Sequence, residues 1–248
     1  MDVTFRDYGG GLVEFGYSSR DTYQGDCPDP DRIKRVYSPE QIAERNARRA
    51  RTVIRRRIMA LGLDHLLTLT YRANLDVFQV SVGHLRRFIR LVKKRYPQYR
   101  WVAVAERQKR GAWHWHLAVN GFQDVRFLRE VWKSVVGEGN IDVRGPKGKA
   151  RCGKLNLSYY LVKYISKEID DVKSGIHRYF GTREQGEVNI QKISVDRPSS
   201  VMGWVSEILL AGGQVVRQKL DSAYGGWGAT WETLKCVRYR TIALECSA

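Results

Sequence analysis

Residues 101–120, WVAVAERQKRGAWHWHLAVN, decide the fold of this chain. Residues 101–106 and 113–120 are rich in valine, alanine and tryptophan, which predicts two strands. The intervening residues 107–112 carry charges and a glycine, a composition typical of a hairpin loop. The stretch therefore predicts an antiparallel hairpin whose second strand contains the tripeptide His-Trp-His.

His114 and His116 lie two residues apart on this strand. Because alternate residues of a strand share a face, both imidazoles should point to one side of the sheet. Glu106 ends the first strand, and a hairpin that pairs it with His114 places its carboxylate on the same face. A register slip of one residue would send Glu106 to the opposite face. The pattern predicts two nitrogen donors and one oxygen donor for a divalent ion, whose identity the donor set does not select; histidine packing without a metal is the alternative.

On the N-terminal side, residues 38–41 (SPEQ) combine a serine N-cap, a proline at the first helical position and a capping-box glutamine. They predict a helix that runs to about Leu61. Residues 65–71 (HLLTLTY) predict a buried strand, and apolar residues recur at helical spacing over residues 80–96. Residues 1–37 show no clear period, which predicts irregular structure or a short hairpin.

On the C-terminal side, residues 124–136 predict an amphipathic helix and residues 141–143 a short strand. The basic stretch 144–154 predicts a mobile loop. Three later segments are helix-like, helix-like and strand-like in turn: residues 158–170, 201–210 and 236–244. Strands that alternate with helices and include a hairpin predict an α+β fold, with a sheet covered by helices.

Residues 160–167 (YLVKYISK) form the second group with chemical potential. On a helix, two tyrosines and two lysines share one face and the apolar residues occupy the other. A tyrosine hydroxyl, with a pKa of about 10, is a poor nucleophile at neutral pH, but a neighbouring ammonium favours the phenolate and stabilises charge on a phosphate oxygen. Attack by tyrosine on a phosphate leaves a covalent link that can be rejoined later. A surface helix with amphipathic tyrosines is the alternative.

The charge balance favours a polyanionic partner. The chain of 248 residues has 43 Lys and Arg against 26 Asp and Glu, a formal charge of +17, with 43% hydrophobic residues, so the excess lies on a folded surface. Nucleic acid is the commonest such partner, and charge that serves only solubility is the alternative. Candidate strand-holding residues come from the basic helix and the basic loop: Arg45, Arg48, Arg49, Arg55, Arg56, Lys147, Lys149 and Arg151.

Several classes of protein are disfavoured. No run approaches the roughly 20 apolar residues of a membrane helix, and the N-terminus lacks a basic region followed by an apolar one. The four cysteines are too scattered for a CxxC zinc site or a disulfide scaffold, and no Walker A loop is present. The sequence predicts a soluble cytoplasmic protein that binds no membrane and would take any ATP-driven step from a partner.

The order of these patterns resembles the HUH endonuclease superfamily, in which two histidines flank a hydrophobic residue. A strand, the His-Trp-His strand and a tyrosine helix follow one another over about residues 63–185. Residues 160–167 are especially similar to the two-tyrosine helix of the replication gene A proteins of small single-stranded DNA phages and of related plasmid initiators. The resemblance implies a central antiparallel sheet that carries the histidines, with the tyrosine helix across it.

The resemblance also implies an activity: site-specific nicking and rejoining of single-stranded DNA through a covalent 5′-phosphotyrosine, which initiates and terminates rolling-circle replication. It implies Mg²⁺ or Mn²⁺ as the cofactor. Whether both tyrosines act stays open, because single-tyrosine relatives use one. The implied roles are metal ligands for His114, His116 and, as the third ligand, Glu106, nucleophiles for Tyr160 and Tyr164, and assisting cations for Lys163 and Lys167.

The implied partners are single-stranded origin DNA, presented as a hairpin or melted duplex, and the helicase, polymerase and single-strand binding protein of a bacterial or archaeal host. Three domains are predicted: an extension with the basic helix at residues 1–62, the HUH nuclease domain at 63–200 and a second extension at 201–248. The same module would serve a transposase or a conjugative relaxase. From a different class, a non-catalytic nucleic-acid-binding regulator would use the arginine helix and leave the histidines structural.

Overall fold

The computed structural model describes two compact parts of the chain. One unit contains Met1–Lys34 and Glu187–Ala248, and the other contains Arg35–Gly186. The described residues are 2–9, 12–18, 37–145, 157–158, 160–161, 179–194, 214–223 and 226–234. No helix among them is long and apolar enough to cross a bilayer.

Ten strands and three helices occur in the described residues, and all strand pairs are antiparallel, so the fold is α+β as predicted. In chain order they are β1 (Asp2–Asp7), β2 (Leu12–Ser18), α1 (Pro39–Ala60), β3 (His65–Tyr71), α2 (Phe78–Arg95), β4 (Trp101–Arg107), β5 (Trp113–Val119), α3 (Val125–Val136), β6 (Gly139–Arg144), β7 (Tyr179–Gly181), β8 (Asn189–Ser194), β9 (Gln214–Ala223) and β10 (Gly226–Leu234).

The elements predicted between residues 38 and 143 are confirmed with small shifts of their ends. Helix α1 begins with the predicted capping box: the Gln41 backbone N–H donates to Ser38 Oγ at 3.3 Å, and the Ser38 backbone N–H donates to Gln41 Oε1 at 3.0 Å. These two bonds satisfy donors that the first turn of a helix otherwise leaves open.

The Arg35–Gly186 unit contains a five-stranded sheet in the order β6-β3-β5-β4-β7, so the His-Trp-His strand β5 is central. One face of this sheet packs against α2 and α3. Its core includes Trp115 and Leu117 of β5, Phe88 of α2 and Trp132 of α3, all essentially inaccessible to solvent. Burial of such large side chains supplies most of the hydrophobic driving force here.

The opposite face of the same sheet packs against α1. Ile54 and Ile58 of the helix are fully buried and belong to one apolar cluster, whose other members are Leu61, Leu63, Leu66, Val102, Val104, Ala118, Leu157 and Leu161. The arginine-rich helix, which was predicted to belong to an N-terminal extension, therefore lies in the same compact unit as the His-Trp-His strand.

The other unit contains a second sheet, ordered β8-β1-β2-β10-β9. Strands β1 and β2 form the hairpin that was one of two expectations for residues 1–37. Strands β9 and β10 were missed, because segments such as GWGATWETL contain glycines and no strict apolar alternation. The predicted segments 201–210 and 236–244 lie outside the described residues, as does most of the basic loop.

A tight approach in this fold predicts the effect of one substitution. A Cβ at Gly139 would lie 2.5 Å from Trp132 Nε1 and 2.7 Å from the Thr70 carbonyl oxygen, and the indole donates to that oxygen at 3.1 Å. We expect Gly139→Ala to lower the free energy of unfolding by about 1–3 kcal/mol through overpacking. The measurement is the urea denaturation midpoint, followed by tryptophan fluorescence.

The matched control is Gly83→Ala in α2, where an added Cβ meets nothing within 4 Å. This change should raise stability by roughly 0.5–1 kcal/mol, because alanine is the better helix former. Equal midpoints for the two variants would contradict the packing account.

Candidate active site

The two histidines of β5 lie on the face of the sheet that α1 covers. Glu106 of β4 pairs directly with His114, so the predicted register is confirmed. On the other side of β5, Thr70 pairs with His114 and Thr68 with His116. Because paired residues point to the same face, the two imidazoles, the carboxylate and two threonine side chains occupy adjacent positions on one surface.

His116 is held by two polar contacts. Its Nε2 lies 2.8 Å from Glu106 Oε2, and its Nδ1 lies 3.2 Å from Thr68 Oγ1. With the proton on Nε2, the ring donates to the carboxylate and accepts from the threonine hydroxyl. These contacts fix the orientation of the ring on a buried surface where alternative partners are scarce.

Thr68 was not predicted as a site residue from the sequence. Its only signal was a threonine at an inward position of an otherwise apolar strand, HLLTLTY, which also suits an ordinary strand residue.

His114 differs from its neighbour in having an unpaired ring nitrogen. Its Nε2 is buried and has no hydrogen-bond partner, and only 7% of the residue is exposed. Burial lowers the pKa of His114 to about 4, with the charges of His116 and Arg110 adding to this effect and that of Glu106 opposing it. The ring is therefore neutral at pH 7, which is the form that can bind a metal ion.

The residues present suit a metal ion in donor type. Among the described residues, no three His, Cys, Asp or Glu side chains already stand in the arrangement of a metal site. The orphaned nitrogen of His114 nevertheless faces the same surface as His116 and Glu106, and a buried polar atom without a partner is costly unless water or an ion satisfies it. Glu106 is engaged by His116, so a three-donor set requires that hydrogen bond to open.

Tyr160 lies over the same surface. The described residues Leu157, Ser158, Tyr160 and Leu161 are helical, and the two leucines are buried in the apolar cluster beneath α1. Half-buried Tyr160 packs against this cluster, which includes residues two positions from His116 and Glu106 along their strands. The predicted companions Lys163, Tyr164 and Lys167 lie outside the described residues.

A tyrosine that was not predicted from the sequence also reaches this face. Tyr179 of β7 pairs with Val104 of β4, and Val104 pairs in turn with His116. Tyr179 packs against the same apolar cluster as Tyr160. A three-residue strand has too little periodicity to be recognised from sequence, which explains why Tyr179 was missed.

The predicted strand-holding arginines fall into two environments on α1. Arg45, Arg48 and Arg49 are exposed, and Arg55 and Arg56 are half-buried. Arg48 forms an exposed ion pair with Glu44 at 2.6 Å, a contact of small energetic value. The predicted residues of the basic loop, Lys147, Lys149 and Arg151, lie outside the described residues.

Comparison with known proteins supports the interpretation of this segment. Residues 64–169 match a family model of replication-associated proteins of the ORF2 type. The matched range contains β3, the His-Trp-His strand and Tyr160, so the resemblance to replication-associated proteins is confirmed over the part of the chain that carries the site. No curated protein and no solved structure matches the chain.

The environment of His114 predicts a specific titration. In metal-free protein with EDTA, NMR should find one histidine ring that titrates near pH 4 and disappears from the spectrum of His114→Gln. Because burial disfavours the charged ring, its contribution to stability is present above about pH 6.5 and is lost as the pH falls towards 4, by on the order of 3 kcal/mol. A His114 ring that titrates near 6.5 would contradict this account.

Proposed function

From the match of residues 64–169 to the ORF2-type family of replication-associated proteins, we propose that this chain is a metal-dependent DNA-nicking and rejoining enzyme that initiates and terminates rolling-circle replication. One observation carries the proposal: Glu106, His114 and His116 share a sheet face, and the helical segment with Tyr160 covers that same face. A purely structural histidine pair would have no reason to leave a ring nitrogen unpaired.

In the proposed reaction, Tyr160 Oη attacks the phosphorus of a single-stranded DNA phosphodiester. The Oη–P bond forms and the P–O3′ bond breaks, which leaves a 5′-phosphotyrosine and releases a 3′ oxygen that takes up a proton as a hydroxyl. The tyrosine proton passes to solvent or to a nearby base. Because the phosphodiester is replaced by another ester, a 3′ hydroxyl can later attack the link and rejoin the strand.

The proposed metal ligands are His114, His116 and Glu106, with Mg²⁺ or Mn²⁺ as the ion. When bound, the ion would polarise the scissile phosphate and offset the charge that develops on its oxygens. The protein contributes rigidity: both histidines stand on the central strand of a sheet covered on both faces. Thr68 holds His116 in place from the neighbouring strand.

The proposed partners follow from the reaction. The released 3′ hydroxyl can prime synthesis by a polymerase, while a helicase and a single-strand binding protein of the host would clear the displaced strand. The proposed substrate is single-stranded DNA at an origin, as a hairpin or melted duplex. Tyr164 as a second nucleophile, with Lys163 and Lys167 as assisting cations, belongs to the same proposal.

The adduct tests the proposal directly. Single-stranded 30-mers with a randomised centre and a 3′ label, incubated with Mg²⁺ or Mn²⁺, should yield labelled protein that survives denaturation. The same oligonucleotides with a 5′ label should release the label, because the 5′ phosphate side stays on the tyrosine. Tyr160→Phe should lose at least 100-fold in adduct.

The matched control is Tyr96→Phe, which removes a hydroxyl that accepts from the Asp124 backbone N–H outside this site. It should form adduct at the wild-type level. Adduct that persists in Tyr160→Phe and is lost only after Tyr164 is also changed would show two nucleophiles. No adduct from wild-type protein across the whole library would count against nicking.

Thr68 offers a second test, through the orientation of His116. Thr68→Val keeps the shape of the side chain and removes the oxygen that contacts His116 Nδ1. We expect a 10- to 100-fold loss of adduct, partly restored at higher Mn²⁺, since partners of metal-binding histidines typically contribute this much. Thr52→Val on α1 is the control, and equal activity of the two variants would exclude a role for Thr68.

A further inference from the structure

The loop between β4 and β5 is tightly closed. The Gln108 backbone N–H donates to the Ala112 carbonyl at 2.8 Å, and the Gly111 N–H donates to the Gln108 carbonyl at 2.8 Å. Gly111 has a φ of +90°, which a side chain would disfavour. The loop begins one residue after Glu106 and ends two residues before His114, so its position is fixed relative to the candidate site.

Arg110 fastens this loop to the neighbouring strand β3. Its guanidinium donates to the carbonyl oxygens of Tyr71 at 2.7 Å and Arg72 at 3.2 Å, and to Gln108 Oε1 at 2.9 Å. The loop thus crosses the end of β5 and is held at the end of β3. With its donors used in this way, Arg110 has mainly a structural task.

Three other cations stand at the same end of the sheet and are exposed: Arg72, Arg107 and Lys109. We call them the basic rim. Arg107 donates through Nε to the Gly111 carbonyl at 3.2 Å, a bond that steadies the side chain and leaves its charge intact. Arg72 pairs with Glu138 at 3.5 Å, but both side chains are more than 70% exposed, so this pair is weak.

We propose that the basic rim is a phosphate-binding surface that holds the backbone of single-stranded DNA beside Glu106 and His114, so that a neighbouring phosphate can lie on the site. The inference rests on the proposed action on DNA and assigns substrate contacts to residues outside the arginine helix. A rigid loop suits this task, because a strand gripped by a mobile loop would not present one phosphate to fixed groups.

Salt dependence tests the rim without any cleavage. Binding of fluorescent oligo(dT) 30-mer to the full chain is measured by anisotropy in EDTA from 50 to 300 mM NaCl. Each phosphate contact on a single strand contributes about 0.7 to the slope of log K against log salt. The double variant Arg107→Ala/Lys109→Ala should therefore lower the slope by about 1.4, while Arg110 is left to hold the loop.

Two controls separate charge from position and from folding. Arg90→Ala/Lys94→Ala removes the same charges from the exposed side of α2, and it should keep the wild-type slope. Arg107→Lys/Lys109→Arg keeps the charges and should also keep the slope, which a merely structural role of these side chains would not allow.

An unchanged slope in the rim variant, or an equal fall in the α2 variant, would overturn the inference. The adduct assay is read separately. A lowered slope in protein that forms no adduct would uphold the rim and reject nicking, whereas full adduct with an unchanged slope would uphold nicking and reject the rim.

Discussion

The register between β4 and β5 is the constraint on which the rest of the candidate site depends. Only when Glu106 stands opposite His114 do a carboxylate and two imidazoles share one face of the sheet. A strand alternates with period two, so a slip of one residue would exchange every polar group on this face for an apolar one. The closed loop with Gly111 and the anchoring contacts of Arg110 favour the observed register at its shortest connection.

Apolar packing around these polar groups gives them their properties. Ile54 and Ile58 of α1 and the leucines beside Tyr160 cover the same face of the sheet. Water is scarce there, so hydrogen bonds are stronger and an unpaired nitrogen is more costly than at the surface. The contrast between His116, with two partners, and His114, with an unpaired Nε2, is therefore meaningful on a buried strand and would mean little on an exposed one.

Local signals in the sequence were sufficient for much of this unit. The capping box of α1, the periods of the helices and the charged loop between two strands each depend on neighbouring residues, and each was predicted. Thr68 and Tyr179 were not, because their importance comes from pairing across the sheet with residues distant in sequence. The docking of α1 on the sheet was missed for the same reason, since an amphipathic helix does not state which surface covers it.

The second sheet has a consequence for how the chain is made. Its strands β1 and β2 come from the beginning of the sequence, whereas β8, β9 and β10 follow residue 186. During synthesis, the first hairpin must wait for more than 150 residues before its partners leave the ribosome, and the contiguous Arg35–Gly186 unit can fold in that interval. We expect the nascent chain to acquire the candidate active site first and to protect the edges of its first hairpin last.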